Sequence, residues 1–578
     1  MDQKMMLGNA AVARGLFEAG CHFVSSYPGT PSTEITECAA QYEELHAEWA
    51  PNEKVAVEAT MGASIAGGRA FSAMKHVGLN VAADPIFTAS YTGVNGGAVI
   101  AVADDMGMHS SQNEQDSRHY ARASKLPMLE PADSQECKDF TKYAFQLSEE
   151  YDTPVFLRLS TRISHSQSMV TLEPRENVPV KPYEKNIAKY VMMPAKAQLR
   201  HVVVEERELN LRALAETTPL NRVEDNHAKI GVIASGIAYQ YAKEALGDGA
   251  SYLKLGMVYP LPVKLIEVFA KTVDTLYVIE ELDDIFETHC KKHGISVIGK
   301  EKFSRLGEYT PALIRHAVLG TPLPAQSRES APPRPPVLCP GCPHRGLFYV
   351  LHKLGLVVSG DIGCYTLGAQ APLESVDTTL CMGASISGLH GMNLVQDPAF
   401  AQKSVAVIGD STFFHSGITG LINVVYNQSP STILILDNSI TGMTGHQQNP
   451  GTGLTLQNHP APKVDIEAVC RACGVARVQI VDPNDLKSVE RALKEELAAP
   501  EPSVVIVRRP CALLKSVKPL PALTVNPDKC IGCKLCLRLG CPAISMQDGK
   551  AVVDRSICVG CGLCEQLCPK GAFERGDA

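Results

Sequence analysis

The chain has 578 residues, enough for about four domains of ~150 residues each. Its 45% hydrophobic and 20% charged residues are those of an ordinary globular protein, and a net charge of −8 gives no support to a nucleic-acid partner. The start lacks a basic segment followed by an apolar one, and the longest uncharged run, 85–103, is broken by Gly93, Gly96 and Gly97. Neither an export signal nor a membrane span is therefore expected. Nineteen cysteines in such a chain point to a reducing cytoplasm and to metal ligation.

Residues 1–170 alternate apolar runs with helical patterns, the signature of an α/β domain with a parallel sheet. A helix over 7–19 ends at Gly20. A strand over 22–26 runs into Tyr27-Pro28-Gly29-Thr30-Pro31-Ser32, where Ser32 or Thr33 can cap the next helix. The small-residue stretch 55–69 reads as a tightly packed helix, and 154–159 as a closing strand. Residues 171–225 are polar and irregular and read as a linker. A second α/β domain spans 226–320, with strands at 230–234 and 275–280. The proline-rich stretch 321–336 reads as a stiff connector. A third α/β domain covers 337–515, with strands at 404–408, 432–436 and 503–507.

The tail, 520–578, carries the sharpest signal. It reads Cys530-x2-Cys533-x2-Cys536-x4-Cys541-Pro542, then Cys558-x2-Cys561-x2-Cys564-x3-Cys568-Pro569. Three thiolates at i, i+3 and i+6 wrap one face of a cubane, and the cysteine before each proline reaches the other cluster. One [4Fe–4S] cluster is expected on Cys530, Cys533, Cys536 and Cys568, another on Cys558, Cys561, Cys564 and Cys541. Disulfides or zinc are the competing readings, and the paired Cys-Pro runs fit them less well.

In the third domain the strand 404–408 ends in Gly409-Asp410-Ser411, and the next strand ends in Asp437-Asn438. One crossover between them sets a carboxylate and an amide side by side at the carboxyl edge of a sheet. That is an oxygen-rich site for Mg²⁺, with Asp410, Asn438 and the Ile440 carbonyl as ligands, and Gly409 admits a close phosphate. An ordinary strand-end Asp and turn Asn would look the same.

These residues resemble the thiamine-diphosphate motif, a GDG followed by NN, with Ser411 for the last Gly and Asp437 for the first Asn. Tyr27–Ser32 resembles the YPxTPS signature of the 2-oxoacid:ferredoxin oxidoreductases. Cys339-Pro340-Gly341-Cys342-Pro343-His344-Arg345 and Asp361-Ile362-Gly363-Cys364 are similar to that family's CPGC and IGC motifs. The order of the domains in one chain most resembles the indolepyruvate:ferredoxin oxidoreductase alpha subunits. The resemblance implies three thiamine-enzyme-like α/β domains plus a ferredoxin-like α+β tail: a pyrimidine-binding domain (1–170), a transketolase-C-terminal-like domain (226–320) and a diphosphate-binding domain (337–515). It implies that Glu58 holds N1′ of the cofactor's aminopyrimidine and that Thr30 binds the substrate carboxylate. Arg118 is a candidate cationic partner there, because a guanidinium fork suits a carboxylate. His344 and Arg345 are candidates to touch cofactor or phosphate. Cys339, Cys342, Cys364 and Cys511 match ligands of a third cluster, with free buried cysteines as the alternative.

The activity implied is oxidative decarboxylation of an aryl 2-oxoacid, indole-3-pyruvate or a relative, with coenzyme A as acyl acceptor and an external ferredoxin as electron acceptor. A small beta subunit and an α2β2 assembly are implied as well. Three rivals remain open: a sibling enzyme for pyruvate, 2-oxoglutarate or branched 2-oxoacids, a non-oxidative thiamine decarboxylase, and a plain electron carrier.

Overall fold

Strands Ala98–Asp104 and Val155–Ser160 are buried along their whole length, as strands covered on both faces of a parallel sheet must be. They pair in parallel, Val99 opposite Val155, at the centre of a seven-stranded sheet. The computed structural model describes residues 2–324 and 335–575; Pro332 and Pro333 of the expected connector lie outside the described residues. The chain forms two units, 1–329 and 330–578.

In the first unit the large sheet runs, edge to edge, Met257–Tyr259, Met128–Leu129, Val155–Ser160, Ala98–Asp104, Ala70–Lys75, Phe23–Ser26 and His46–Trp49. Only the Met257–Tyr259 edge is antiparallel. A second sheet places Thr275–Ile279, Ile230–Ala234 and Ala250–Lys254 in parallel, with Arg222–Glu224 antiparallel at its edge. The core does not divide at residue 226. Met257–Tyr259 crosses to the first sheet, and Val57, Ile100 and Phe156 share one apolar cluster with Ile233, Leu253 and Phe286.

The stretch expected as an irregular linker holds a long helix, Pro194–Ala215. Proline at its first position costs no hydrogen bond there. Val204 and Leu211, seven residues apart, are buried on one side of the helix. Arg207 from the same side donates to the carbonyls of Ser90 and Asp152, at 2.6 and 2.9 Å. The exposed face mixes Leu199, Val202 and Leu209 with Glu205, Glu206 and Arg212, while Arg207 and Glu208 are buried, so no apolar stripe marks the helix in the sequence.

In the second unit a fully parallel sheet runs Val357–Ser359, Ser404–Gly409, Thr432–Asp437, Ser503–Arg508, Arg477–Val481. The tail forms two small antiparallel pairs, Leu523–Val525 with Phe573–Arg575 and Ile544–Gln547 with Lys550–Val553. Its Leu523, Leu539 and Leu563 pack in one cluster with Leu347, Leu351 and Val507 of the larger sheet domain. Among the described residues no helix is long and apolar enough to cross a membrane.

Candidate active site and electron path

At the carboxyl edge of the second unit's sheet, Gly409 ends its strand where a side chain could not fit: a Cβ there would stand 2.5 Å from the Tyr365 ring. Asp410 follows, fully enclosed. Its Oδ1 accepts from the Ser411 amide at 2.8 Å, while Oδ2 is buried without a partner. Burial first, and then the charge of Asp437, push its carboxyl up to about 7. A carboxylate in that state gains a great deal from a bound cation. Asn438 lies on the next strand end, its Oδ1 accepting from the Ile440 amide at 3.3 Å. Asn449, unnoticed in the sequence, also reaches Asp410. These are hard oxygen donors, the chemistry Mg²⁺ selects. Asp437 is not one of them: Arg508 Nε donates to its Oδ2 at 2.7 Å.

Tyr365, which covers Gly409, meets the edge of His344 at 5.9 Å between ring centroids. His344 thus lies behind the corner. Burial lowers its pKa to about 4, so it offers no positive charge to a phosphate at neutral pH. Arg345 is equally committed: its guanidinium donates to the carbonyls of Leu338, Cys339 and Leu539 at 2.5, 3.1 and 2.6 Å. The segment after Asp410 winds into a π-helical turn, Phe413–Gly417, of the kind often found at functional sites, and buries His415.

The cysteines gather as three quartets. Cys536 feels the charges of Cys533, Cys530 and Cys568, and these four line one small cavity with Ile531, Met546 and Phe573. Cys564 feels Cys561, Cys541 and Cys558. Cys364 feels Cys511 and Cys339, and Cys342 feels Cys364 and Cys339. Burial and then the neighbouring sulfurs push Cys364 up to about 11 and Cys342 to about 12. Such thiols lose their protons on a metal, so the donor chemistry fits thiolate ligation. Backbone amides already point at two tail sulfurs: Ala551 N donates to Cys530 Sγ at 3.4 Å and Ala572 N to Cys568 Sγ at 3.3 Å. Among the described residues no group of His, Cys, Asp or Glu is arranged to hold a single metal ion.

In the first unit the helix Glu53–Ile65 is capped by Asn52, whose Oδ1 accepts from the Val55 amide at 2.9 Å. Glu58 is 46% exposed and pairs with Lys54, one turn earlier. The buried carboxylate of this helix is Glu53, at 4% exposure. A Cβ on Gly78 would stand 2.5 Å from Glu53 Oε1. The structure therefore gives the enclosed setting expected for Glu58 to Glu53.

Arg118 also departs from expectation. Its side chain is 1% exposed. It donates to Asp116 at 2.6 Å, to Glu280 at 2.6 Å, and to the carbonyls of Glu281 and Asp283 at 3.0 and 3.1 Å, while stacking over Phe286. All of its capacity is spent inside the protein, so it is no substrate ligand in this structure. The cation near Thr30 is Lys75 instead. Its Nζ donates to the Ser110 carbonyl at 2.8 Å, its methylenes lie beside Gly29, and Ser110 Oγ donates to the Thr30 carbonyl at 3.3 Å. Burial lowers the Lys75 pKa, against the pull of Asp105 and Glu53.

Residues 14–220 match the family model described as pyruvate flavodoxin/ferredoxin oxidoreductase, thiamine diP-binding. Residues 361–507 match the thiamine pyrophosphate enzyme C-terminal TPP-binding domain, and 551–574 the 4Fe–4S binding domain. Indolepyruvate oxidoreductase subunit IorA of Pyrococcus horikoshii is 42% identical, with 99% of this chain and 97% of that protein covered. The subunit of the same name from Archaeoglobus fulgidus is 40% identical with the same coverage. The chain belongs to the indolepyruvate oxidoreductase IorA family. A shorter relative, 2-oxoglutarate synthase subunit KorA of Archaeoglobus fulgidus, is 25% identical over 52% of this chain and 95% of its own length.

As an IorA-family member the chain is an oxidoreductase acting on 2-oxoacids, with thiamine diphosphate and iron–sulfur cofactors. The expected architecture of α/β domains followed by a ferredoxin-type tail is borne out. Glu53 and Lys75 were missed for different reasons. Glu53 lies five residues from Glu58 on a helix of small residues with no apolar stripe to orient it. Lys75 ends a strand, the position from which sheet-edge sites draw their side chains.

Proposed function

We propose that the chain catalyses oxidative decarboxylation of an aryl 2-oxoacid, indole-3-pyruvate: 2-oxoacid plus coenzyme A plus two oxidised ferredoxins give aryl-acetyl-CoA, CO2, a proton and two reduced ferredoxins. The observation that carries this reading is the near-full-length likeness to the indolepyruvate oxidoreductase subunits, joined to the orphaned carboxylate of Asp410 in one unit with three cysteine quartets.

Thiamine diphosphate, when bound, supplies the electron sink that lets CO2 leave. Asp410, Asn438 and the Ile440 carbonyl hold Mg²⁺ for its diphosphate. Glu53, in place of Glu58, holds a proton at N1′ of the aminopyrimidine, and its burial beside Gly78 keeps water from competing for that carboxyl. Thr30 and Lys75 orient the substrate carboxylate. Two [4Fe–4S] clusters are held by Cys530, Cys533, Cys536, Cys568 and by Cys558, Cys561, Cys564, Cys541. A third is held by Cys339, Cys342, Cys364 and Cys511. Each takes one electron at a time, which suits a ferredoxin acceptor. A smaller beta subunit completes an α2β2 enzyme.

Anaerobic co-purification with that subunit, iron counting, and a 2-oxoacid panel with a viologen acceptor test the reading. Indole-3-pyruvate should give the highest kcat/KM, with strict dependence on coenzyme A. Preference for pyruvate or 2-oxoglutarate would overturn the substrate, and aldehyde release without dye reduction would overturn the oxidative chemistry.

A further inference from the structure

The loop that follows Asn438 carries a histidine to which the activity above assigns no role. Thr441 and Gln447 close this loop by exchanging backbone hydrogen bonds at 3.0 and 3.2 Å. Gln447 Nε2 donates to the Thr444 carbonyl at 2.8 Å, and Thr444 Oγ1 donates to Gln447 Oε1 at 2.5 Å. Gly445 and His446 both take positive φ, 122° and 69°. Histidine tolerates the left-handed region better than most residues, though at some cost. The result of this pinned conformation is that His446 Nε2 stands 3.7 Å from Cys511 Sγ.

Cys511 is held from a second side. Its amide donates to the Asn438 carbonyl at 2.9 Å. At the base of the same loop, Gly442 lies beside Cys364: a Cβ there would be in ordinary contact with Cys364 Sγ, at 3.6 Å. One loop therefore spans the metal corner and two sulfurs of the third quartet.

A cluster-bound thiolate carries no proton, so it accepts, and the imidazole Nε2–H donates. The imidazole does this in the tautomer that carries its proton on Nε2. Hydrogen bonds to cluster sulfurs withdraw charge from them and favour the reduced cluster.

Building on the reading that Cys339, Cys342, Cys364 and Cys511 hold a [4Fe–4S] cluster, we propose that His446 is a positioning residue for electron transfer: its Nε2–H donates to Cys511 Sγ and raises the reduction potential of that cluster. The cluster nearest the diphosphate corner thereby becomes a better first acceptor than four bare thiolates would make it.

The test compares the anaerobically purified complex of this chain and its partner subunit as wild type, His446→Asn and His446→Gln. Asparagine keeps the left-handed backbone but cannot reach the sulfur, whereas glutamine restores a donor of similar length. Iron and sulfide are counted, and each cluster's midpoint is followed by EPR-monitored potentiometry. The expected result is about twelve irons per chain in all three proteins. In His446→Asn one midpoint moves negative by about tenfold in the reduction equilibrium, 59 mV for a one-electron couple. His446→Gln should recover part of the shift. An unchanged midpoint at full iron content overturns the inference while leaving the third cluster standing. Loss of four irons from His446→Asn but not from Cys511→Ala also overturns it, because His446 would then be a ligand. About eight irons in the wild type would remove the third cluster and the inference with it.

Discussion

Replacing Arg118 by methionine separates a structural role from a substrate-binding one. The variant keeps the length and apolar stem but deletes the guanidinium that serves Asp116 and Glu280 and lies over Phe286. Although burial opposes it, Arg118 and then Arg158 hold the Asp116 carboxyl well below the usual carboxylate range. Breaking a buried pair by removing one partner costs about 3–5 kcal/mol. Two carboxylates lose a partner here, yet the cost does not double. Asp116 retains Arg158 at 3.8 Å, and Glu280 retains the amides of Phe286 and Glu287, each at 3.0 Å. At the usual ~2.1 cal/mol/K of unfolding entropy per residue, a unit of this size shifts by about 1.5 °C for each kcal/mol, so the calorimetric transition of residues 1–329 should fall by roughly 4–7 °C at fixed scan rate. In the molecules that remain folded, KM for the 2-oxoacid should stay within about twofold. A variant with an unmoved transition and a KM raised tenfold or more would refute the reasoning and restore Arg118 as the substrate's partner.

Glu53→Gln should lower kcat by about 10²–10⁴, the usual contribution of a positioned acid or base, while Glu58→Gln, on the open face of the same helix, should leave kcat/KM within about twofold; steady-state rates with a viologen acceptor decide between them. Asp410→Asn removes a buried carboxylate with an unpartnered oxygen, so apo-protein stability should hold or rise while Mg²⁺-dependent thiamine diphosphate affinity drops by about 100-fold or more in calorimetric titration. Glu281 gives a pH signature in the first unit: burial, reinforced by Glu308, pushes its carboxyl from 4.5 up to about 7. Its contribution to stability is fully present below about pH 4.5 and is lost as pH rises through about 7, so Glu281→Gln should match wild type at acid pH and exceed it at pH 8 by up to roughly 3 kcal/mol in urea unfolding.

How much of this could be read from the sequence depended on whether a residue's task fixes its spacing. A ferredoxin-type run sets its thiolates at i, i+3 and i+6, so the two groups of tail cysteines were legible before any fold was known. Asp410 and Asn438 were legible because a strand end followed by one crossover brings them together whatever surrounds them. Arg118 was not. A guanidinium serves a substrate carboxylate and a buried network equally well, and its partner Glu280 lies 162 residues away, just past a strand whose neighbours one sequence does not reveal. Glu53 and Glu58 are about 140° apart around their helix, and a run of Ala, Gly, Ser and Thr gives no apolar face to choose between them. The helix Pro194–Ala215 was hidden for a related reason: Leu199, Val202 and Leu209 face outward while Arg207 and Glu208 are buried, so its apolar residues follow no single face.

The second unit shows why the cofactor corner and the cysteines belong in one piece of chain. Asn438 Oδ1 accepts from the Ile440 amide while its backbone carbonyl accepts from the Cys511 amide, so one residue ties the loop after the strand end to the segment that carries Cys511. Arg345 does the same one step on. It ties the carbonyls of Leu338 and Cys339, beside one quartet, to that of Leu539, between the tail's Cys536 and Cys541. The Arg345 side chain is buried, and Gly540 packs beside it: a Cβ there would lie in contact with its Nη1 at 3.5 Å. Two short bridges thus tie the Asn438 corner to Cys511 and the Cys339 segment to the tail. A substitution at Arg345 should therefore slow transfer between quartets before it affects anything at the metal corner.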